Sequence, residues 1–173
     1  GSTALSGQTT GVNNTAVGFA AGAGAVPVDV GSNNTLLGAN ARTIVSGGLA
    51  NIVAVGAGTL VRSDGCIAIG QGATASGTDS IMIGRIAGRS TLGNLNIGIG
   101  SGVFTSGGTE SVALGHLSLA TLAGVVTATA VGHAALGSLT NGTNNTAVGH
   151  SAGSTTTTGS SNTFIGDNSR GSG

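Results

Sequence analysis

Along most of the chain a short apolar stretch ends at a glycine, and a polar, glycine-bearing connector leads to the next copy. The closing glycines are Gly18, Gly38, Gly56, Gly70, Gly84, Gly100, Gly115, Gly132, Gly149 and Gly166. Successive steps are 20, 18, 14, 14, 16, 15, 17, 17 and 17 residues, so the kernel is fixed and the connector varies. Self-similarity at a near-constant short period marks a solenoid and outranks any local propensity. One position before the glycine stand Val17, Leu37, Val55, Ile69, Ile83, Ile99, Leu114, Val131, Val148 and Ile165, all aliphatic. Three before it stand Thr15, Thr35, Val53, Ile67, Ile81, Ile97, Val112, Thr129, Thr146 and Thr163, all β-branched. Residues two apart share one face of a strand. The two bulky columns are therefore expected to line the structural core.

Between them lies a third column: Ala16, Leu36, Ala54, Ala68, Met82, Gly98, Ala113, Ala130, Ala147 and Phe164. It is mostly small and must point the other way. Solvent does not select Ala on an exposed strand face, whereas close approach of another backbone does. Ala16, Ala54, Ala68, Ala113, Ala130 and Ala147 are accordingly expected to face a neighbouring chain. The third residue past each glycine is small in most copies, as in Ala21, Ala73, Ala135 and Ala152. Each copy thus reads as strand, tight glycine turn, second short strand and polar loop. Frequent Gly, β-branched residues and Ser/Thr/Asn connectors all oppose helix. The expectation is an all-β solenoid of about ten coils, with residues 11–170 as one repeat domain, 1–10 as a cloning remnant and N-terminal edge, and 171–173 as a tail.

The kernels also carry a family resemblance. Ser80 to Gly84 (SIMIG), Cys66 to Ala73 (CIAIGQGA) and Ser111 to Gly115 (SVALG) resemble the head repeat of trimeric autotransporter adhesins. Thr143 to Asn168, TNNTAVGHSAGSTTTTGSSNTFIGDN, is similar to the longer repeats of bacteriophage tail-fibre proteins. The resemblance spans roughly residues 11 to 170. It implies a left-handed parallel β-roll, three copies of which pack about a threefold axis into a stiff fibre. The departure is in period, because the regular adhesin repeat of 14 is kept only from Gly56 to Gly84. Longer connectors are expected to bulge as surface loops.

Composition narrows the functional classes. In 173 residues there are 35 Gly, and only 6% are charged against roughly 25% in an ordinary domain. A mean hydropathy of +0.37 with zero net charge is unlike a disordered chain. Five basic and five acidic residues leave no electrostatic footprint for nucleic acid. No apolar run is long enough for a transmembrane helix, so no membrane insertion is expected. The single Cys66 occupies a position that other copies fill with Ser or Asn, and reads as a tolerated structural residue. Paired-carboxylate catalysis needs two acids facing one substrate, but Asp29, Asp64, Asp79, Glu110 and Asp167 fall in separate connectors or coil ends. Neither a catalytic nor a cofactor site is expected.

One local constellation stands out. His116, His133 and His150 each follow an anchor glycine at spacings of 17, so stacking would form a single column able to ligate a metal or anion if it faced a threefold axis. Other copies hold Phe19, Gln71, Arg85, Ser101 and Asp167 there, which favours a plain ladder of partly exposed histidines at a turn. The recurring Asn-Asn-Thr of 13–15, 33–35 and 144–146 is expected to form ladders that cap backbone groups between coils. The functional expectation is an extracellular, homotrimeric, non-enzymatic fibre segment, a phage tail-fibre or spike shaft that presents parts binding a glycan or protein receptor. The alternative is the head of a bacterial cell-surface adhesin binding host surface or matrix. A carbohydrate-active enzyme on a β-solenoid is the remote third.

Overall fold

A computed structural model describes residues 2–6, 10–23, 31–44, 48–89, 93–104, 107–124 and 127–171. These residues are all-β without helix and form a parallel β-solenoid. Ten strands make one sheet: β1 (Thr15–Val17), β2 (Thr35–Leu37), β4 (Val53–Val55), β6 (Ile67–Ile69), β8 (Ile81–Ile83), β9 (Ile97–Ile99), β10 (Val112–Leu114), β11 (Ala128–Val131), β12 (Asn145–Val148) and β13 (Thr163–Ile165). They stack in chain order, each the kernel of one repeat. A smaller sheet of β3 (Arg42–Thr43), β5 (Leu60–Val61) and β7 (Thr74–Ala75) forms a second wall, its last two strands lying in the 14-residue coils.

The register follows the glycine anchor throughout. Ala113 pairs with Gly98 on one side and Ala130 on the other, and Ala147 pairs with Ala130 and Phe164. Unequal connectors are absorbed outside the sheet, so an irregular period still yields an in-register ladder. Gly115 shows why the anchor is glycine. Its φ is +135°, and a Cβ there would come within 2.4 Å of the carbonyl oxygen of Gly132 in the next coil. Two residues on, the corner passes through the left-handed region: Leu117 at φ +57°, Ala134 at +53°, Ser151 at +54°. The amides of those corner residues donate to carbonyls one coil back, Leu117 to Ser101, Ala134 to His116 and Ser151 to His133. Inter-coil bonding thus holds the corner in a conformation that L-residues seldom choose.

The core is the reverse of the expectation. The middle column points inward: Leu36, Ala54, Ala68, Met82, Ala113, Ala130 and Ala147 are fully buried within the chain, Phe164 nearly so, and Ala16 is half-buried against the same cluster. It packs against Ala21, Ala41, Ala73, Ala87, Val103, Ala135 and Ala152 of the opposite wall, all fully buried. The columns read as core, Val17, Leu37, Val55, Ile69, Ile83, Ile99, Leu114, Val131, Val148 and Ile165, lie on the outer face, with Val17, Ile99, Leu114, Val148 and Ile165 exposed and the rest half-buried. Coils of about 15 residues are too narrow to hold two branched columns between their walls. An Ala layer fits, and the bulk turns outward. Where the inward column drops to Gly98, neighbours take the space: a Cβ there would lie 2.8 Å from Met82 Sδ and from a Phe104 ring carbon.

Two longer connectors also belong to the core rather than bulging away. Leu119, Leu122, Leu136 and Leu139 are fully buried. They widen the interior beside β10 and β11, where the coils are longer.

Polar groups inside the roll are satisfied by a ladder at the position just before the strand. Asn34 Nδ2 donates to the Leu49 carbonyl at 2.7 Å, and its Oδ1 accepts from Ile52 N at 3.1 Å, one coil on. Asn96 Oδ1 accepts from Ser111 N, Ser111 Oγ from Ala128 N, and Asn145 Oδ1 from Asn162 N. On the surface Asn13 Nδ2 donates to Asn33 Oδ1 at 3.1 Å. The expectation that asparagines cap backbone between coils holds for the buried column of the Asn-Asn pair, while the surface column links side chain to side chain. Each buried amide that joins two coils would leave unpaired backbone behind if removed.

Candidate functional site

Two surface features are built by this stacking, and both arise from repetition. The first is the outer face of the ten-stranded sheet. At about 4.8 Å per strand its ten rungs extend roughly 43 Å. Two side-chain columns run along it. Ile67, Ile69, Ile81, Ile83, Ile97 and Ile99 form the aliphatic centre, flanked by Thr-bearing rungs such as Thr129 with Val131 and Thr163 with Ile165. Ile165 is 71% exposed and Val17 58%. Ordinary monomer surfaces seldom carry so long a continuous apolar strip, and such strips mark contact sites. The Ala column assigned by sequence to a neighbouring chain is not available for that purpose, being enclosed by its own coil. The signal for the outer face was in the sequence all along, as the bulky columns themselves.

The second feature is the histidine column. The 17-residue spacing and the parallel register place His116, His133 and His150 on successive rungs, between the anchor glycine and the left-handed corner residue. The rings of His116 and His133 have centroids 5.2 Å apart at 37°, and those of His133 and His150 lie 5.0 Å apart, stacked at 11°. His150 Nδ1 sits 3.0 Å from Asp167 Oδ1, with side-chain exposures of 59% and 72%. All three histidines are exposed. Asp167 was legible only as the occupant of the equivalent turn position; the same 17-residue step that aligns the histidines brings its carboxylate to the end of their stack. Among the described residues no three or more His, Cys, Asp and Glu side chains form a ready-made metal cage.

Among the described residues, Asp64 and Asp79 stand on neighbouring coils, the Asp79 amide donating to the Asp64 carbonyl at 3.1 Å. Asp64 Oδ1 accepts from Ala50 N at 2.8 Å, a capping role, while Asp79 and Glu110 are exposed at left-handed turn positions. Asp29 lies outside the described residues. Cys66 is buried in the polar ladder and donates its thiol to the Gly77 carbonyl at 2.9 Å. Burial pushes that thiol above its ordinary value of 9.0, with the carboxylates of Asp79 and Asp64 adding to the rise against hydrogen bonds from the Ser80 and Asp79 backbone. No helix among the described residues is long and apolar enough to cross a membrane. Comparison with protein-family models, curated proteins and solved structures finds no significant match to this chain.

Proposed function

We propose that the chain is a structural, adhesive fibre segment, a phage tail-fibre or spike shaft that extends and presents receptor-binding parts. The observation that carries this reading is the outer aliphatic face, a strip about 43 Å long at the usual strand spacing whose rungs are self-similar from β1 to β13. Such a face suits two further copies of itself better than an unrelated partner, because every rung meets the same geometry in a parallel copy. In this reading the roll is left-handed, three copies bury their Val, Ile and Leu columns around a threefold axis, and the polar connectors face outward. The fibre is extracellular, and its repeated surface meets a glycan or protein receptor through many weak contacts at once, so avidity replaces a deep pocket. The chain acts without catalysis and without a cofactor.

The second reading, the head of a bacterial trimeric adhesin, is favoured by the stretch from Gly56 to Gly84, where the step is 14 and β5 and β7 form a regular second wall. Immunogold electron microscopy with antibodies against this chain separates the two in the encoding organism and its virions. Gold on tail fibres supports the shaft, gold on the bacterial envelope supports the adhesin head, and label confined to the cell interior overturns both.

A further inference from the structure

The histidine column combines three properties that point to a ligand. Its imidazoles are exposed to solvent. They are held in rank by the strand register and by ring contacts with one another, so neighbouring rings stay within one rung of each other. And the last of them is oriented by a carboxylate. An ionised carboxylate only accepts hydrogen bonds, so the contact of 3.0 Å between Asp167 Oδ1 and His150 Nδ1 places the proton of the neutral imidazole on Nδ1. Its Nε2 then carries a free lone pair. A carboxylate on one ring nitrogen that fixes the tautomer and raises the basicity of the other is the usual second layer behind metal-ligating histidines.

We propose that His133 and His150, oriented by Asp167, form an open site for a borderline divalent transition cation such as Cu2+, Ni2+ or Zn2+. Imidazole nitrogens bind these ions at about 2.0 to 2.1 Å, which puts two ligating nitrogens roughly 3.3 Å apart in a tetrahedral site and about 4.1 Å apart when they lie trans. The ring centroids of His133 and His150 are 5.0 Å apart with the planes nearly parallel, so both exposed rings must turn about their side-chain torsions to bring their in-plane lone pairs onto one ion. His116 is one rung further out and tilted at 37°, so it competes for His133 without completing the same ion. One ion per chain follows, with water filling the remaining positions. The ligand type, neutral imidazole without thiolate, suits Cu2+ best in the usual order of affinities. The site needs only one chain and does not depend on self-association.

Titration calorimetry of the whole chain with CuCl2 in a non-coordinating buffer tests this, because its three histidines all lie in the column. The wild-type chain is expected to bind one Cu2+. His133→Gln and His150→Gln should each lower affinity tenfold or more, Asp167→Asn by about tenfold through loss of the negative charge that raises the imidazole's basicity, and His116→Gln by less than threefold. Electron paramagnetic resonance should show coupling to two imidazole nitrogens in the wild type and to one or none in His150→Gln. Unchanged circular dichroism shows that each variant still folds. Absence of binding, an isotherm unaltered in the His133→Gln/His150→Gln double variant, or an Asp167→Asn variant indistinguishable from wild type would each overturn the assignment.

Discussion

At the scale of single residues the fold rests on a few positions where no ordinary side chain fits. Gly115 and Gly166 occupy the same place in the repeat, at φ +135° and +110°, but only Gly115 has a coil beyond it. Both bear the backbone cost of an L-residue in this region, on the order of 1 to 3 kcal/mol. Gly115→Ala adds a clash with the Gly132 carbonyl, whereas Gly166 has nothing within 4 Å of the added carbon. Denaturant titration should therefore find Gly115→Ala clearly more destabilising than Gly166→Ala; equal losses would mean that the coils do not abut at the anchor. Cys66 gives a second test at this scale. Its thiol is raised by burial, so the native state favours the protonated form. That contribution is complete below the ordinary thiol value of 9.0 and is lost as pH climbs through the raised one. Alkylating reagents at neutral pH should leave native Cys66 unmodified and label it rapidly after unfolding. Stability should decline on the alkaline side more in the wild type than in Cys66→Ser.

Elements are where the sequence was most and least informative. The strands were legible because glycine, β-branched residues and Ala recur in fixed order, and ten kernels predicted ten strands of the main sheet. Which face is inside was not legible from alternation, since both faces are apolar and a strand read with either face inward has the same pattern. A slip of one residue exchanges every side chain between faces. What decides is the width of the coil, set by connector length and turn geometry, and a narrow coil admits only a thin layer of small residues. The buried connectors were missed although they left a trace: Leu119 and Leu136, like Leu122 and Leu139, are 17 residues apart, the same step as their anchors. The polar, glycine-bearing residues around these leucines are those of a surface loop and mask the repeat. Leu122→Ala should cost about 2 to 5 kcal/mol in equilibrium unfolding. A loss below about 0.5 kcal/mol, typical of an exposed site, would return that connector to the surface.

For the whole molecule, the histidine column and the outer strip share one origin, a parallel register that repeats any residue type into a line. The alignment of His116, His133 and His150 followed directly from their spacing. The contact of His150 with Asp167 required knowing that the corner continues unchanged into the last coil. The central claim is that the Ala column is interior while the Val, Ile and Leu columns form the assembly surface. It is tested most directly by sedimentation equilibrium with circular dichroism on three proteins: wild type, Ile69→Asp/Ile83→Asp and Ala113→Asp. The expected result is a wild type of three chains, a folded double variant with the mass of one chain, and an Ala113→Asp chain that loses its β-structure. A wild type that remains a single chain, or an Ala113→Asp chain that stays folded and merely dissociates, would contradict it.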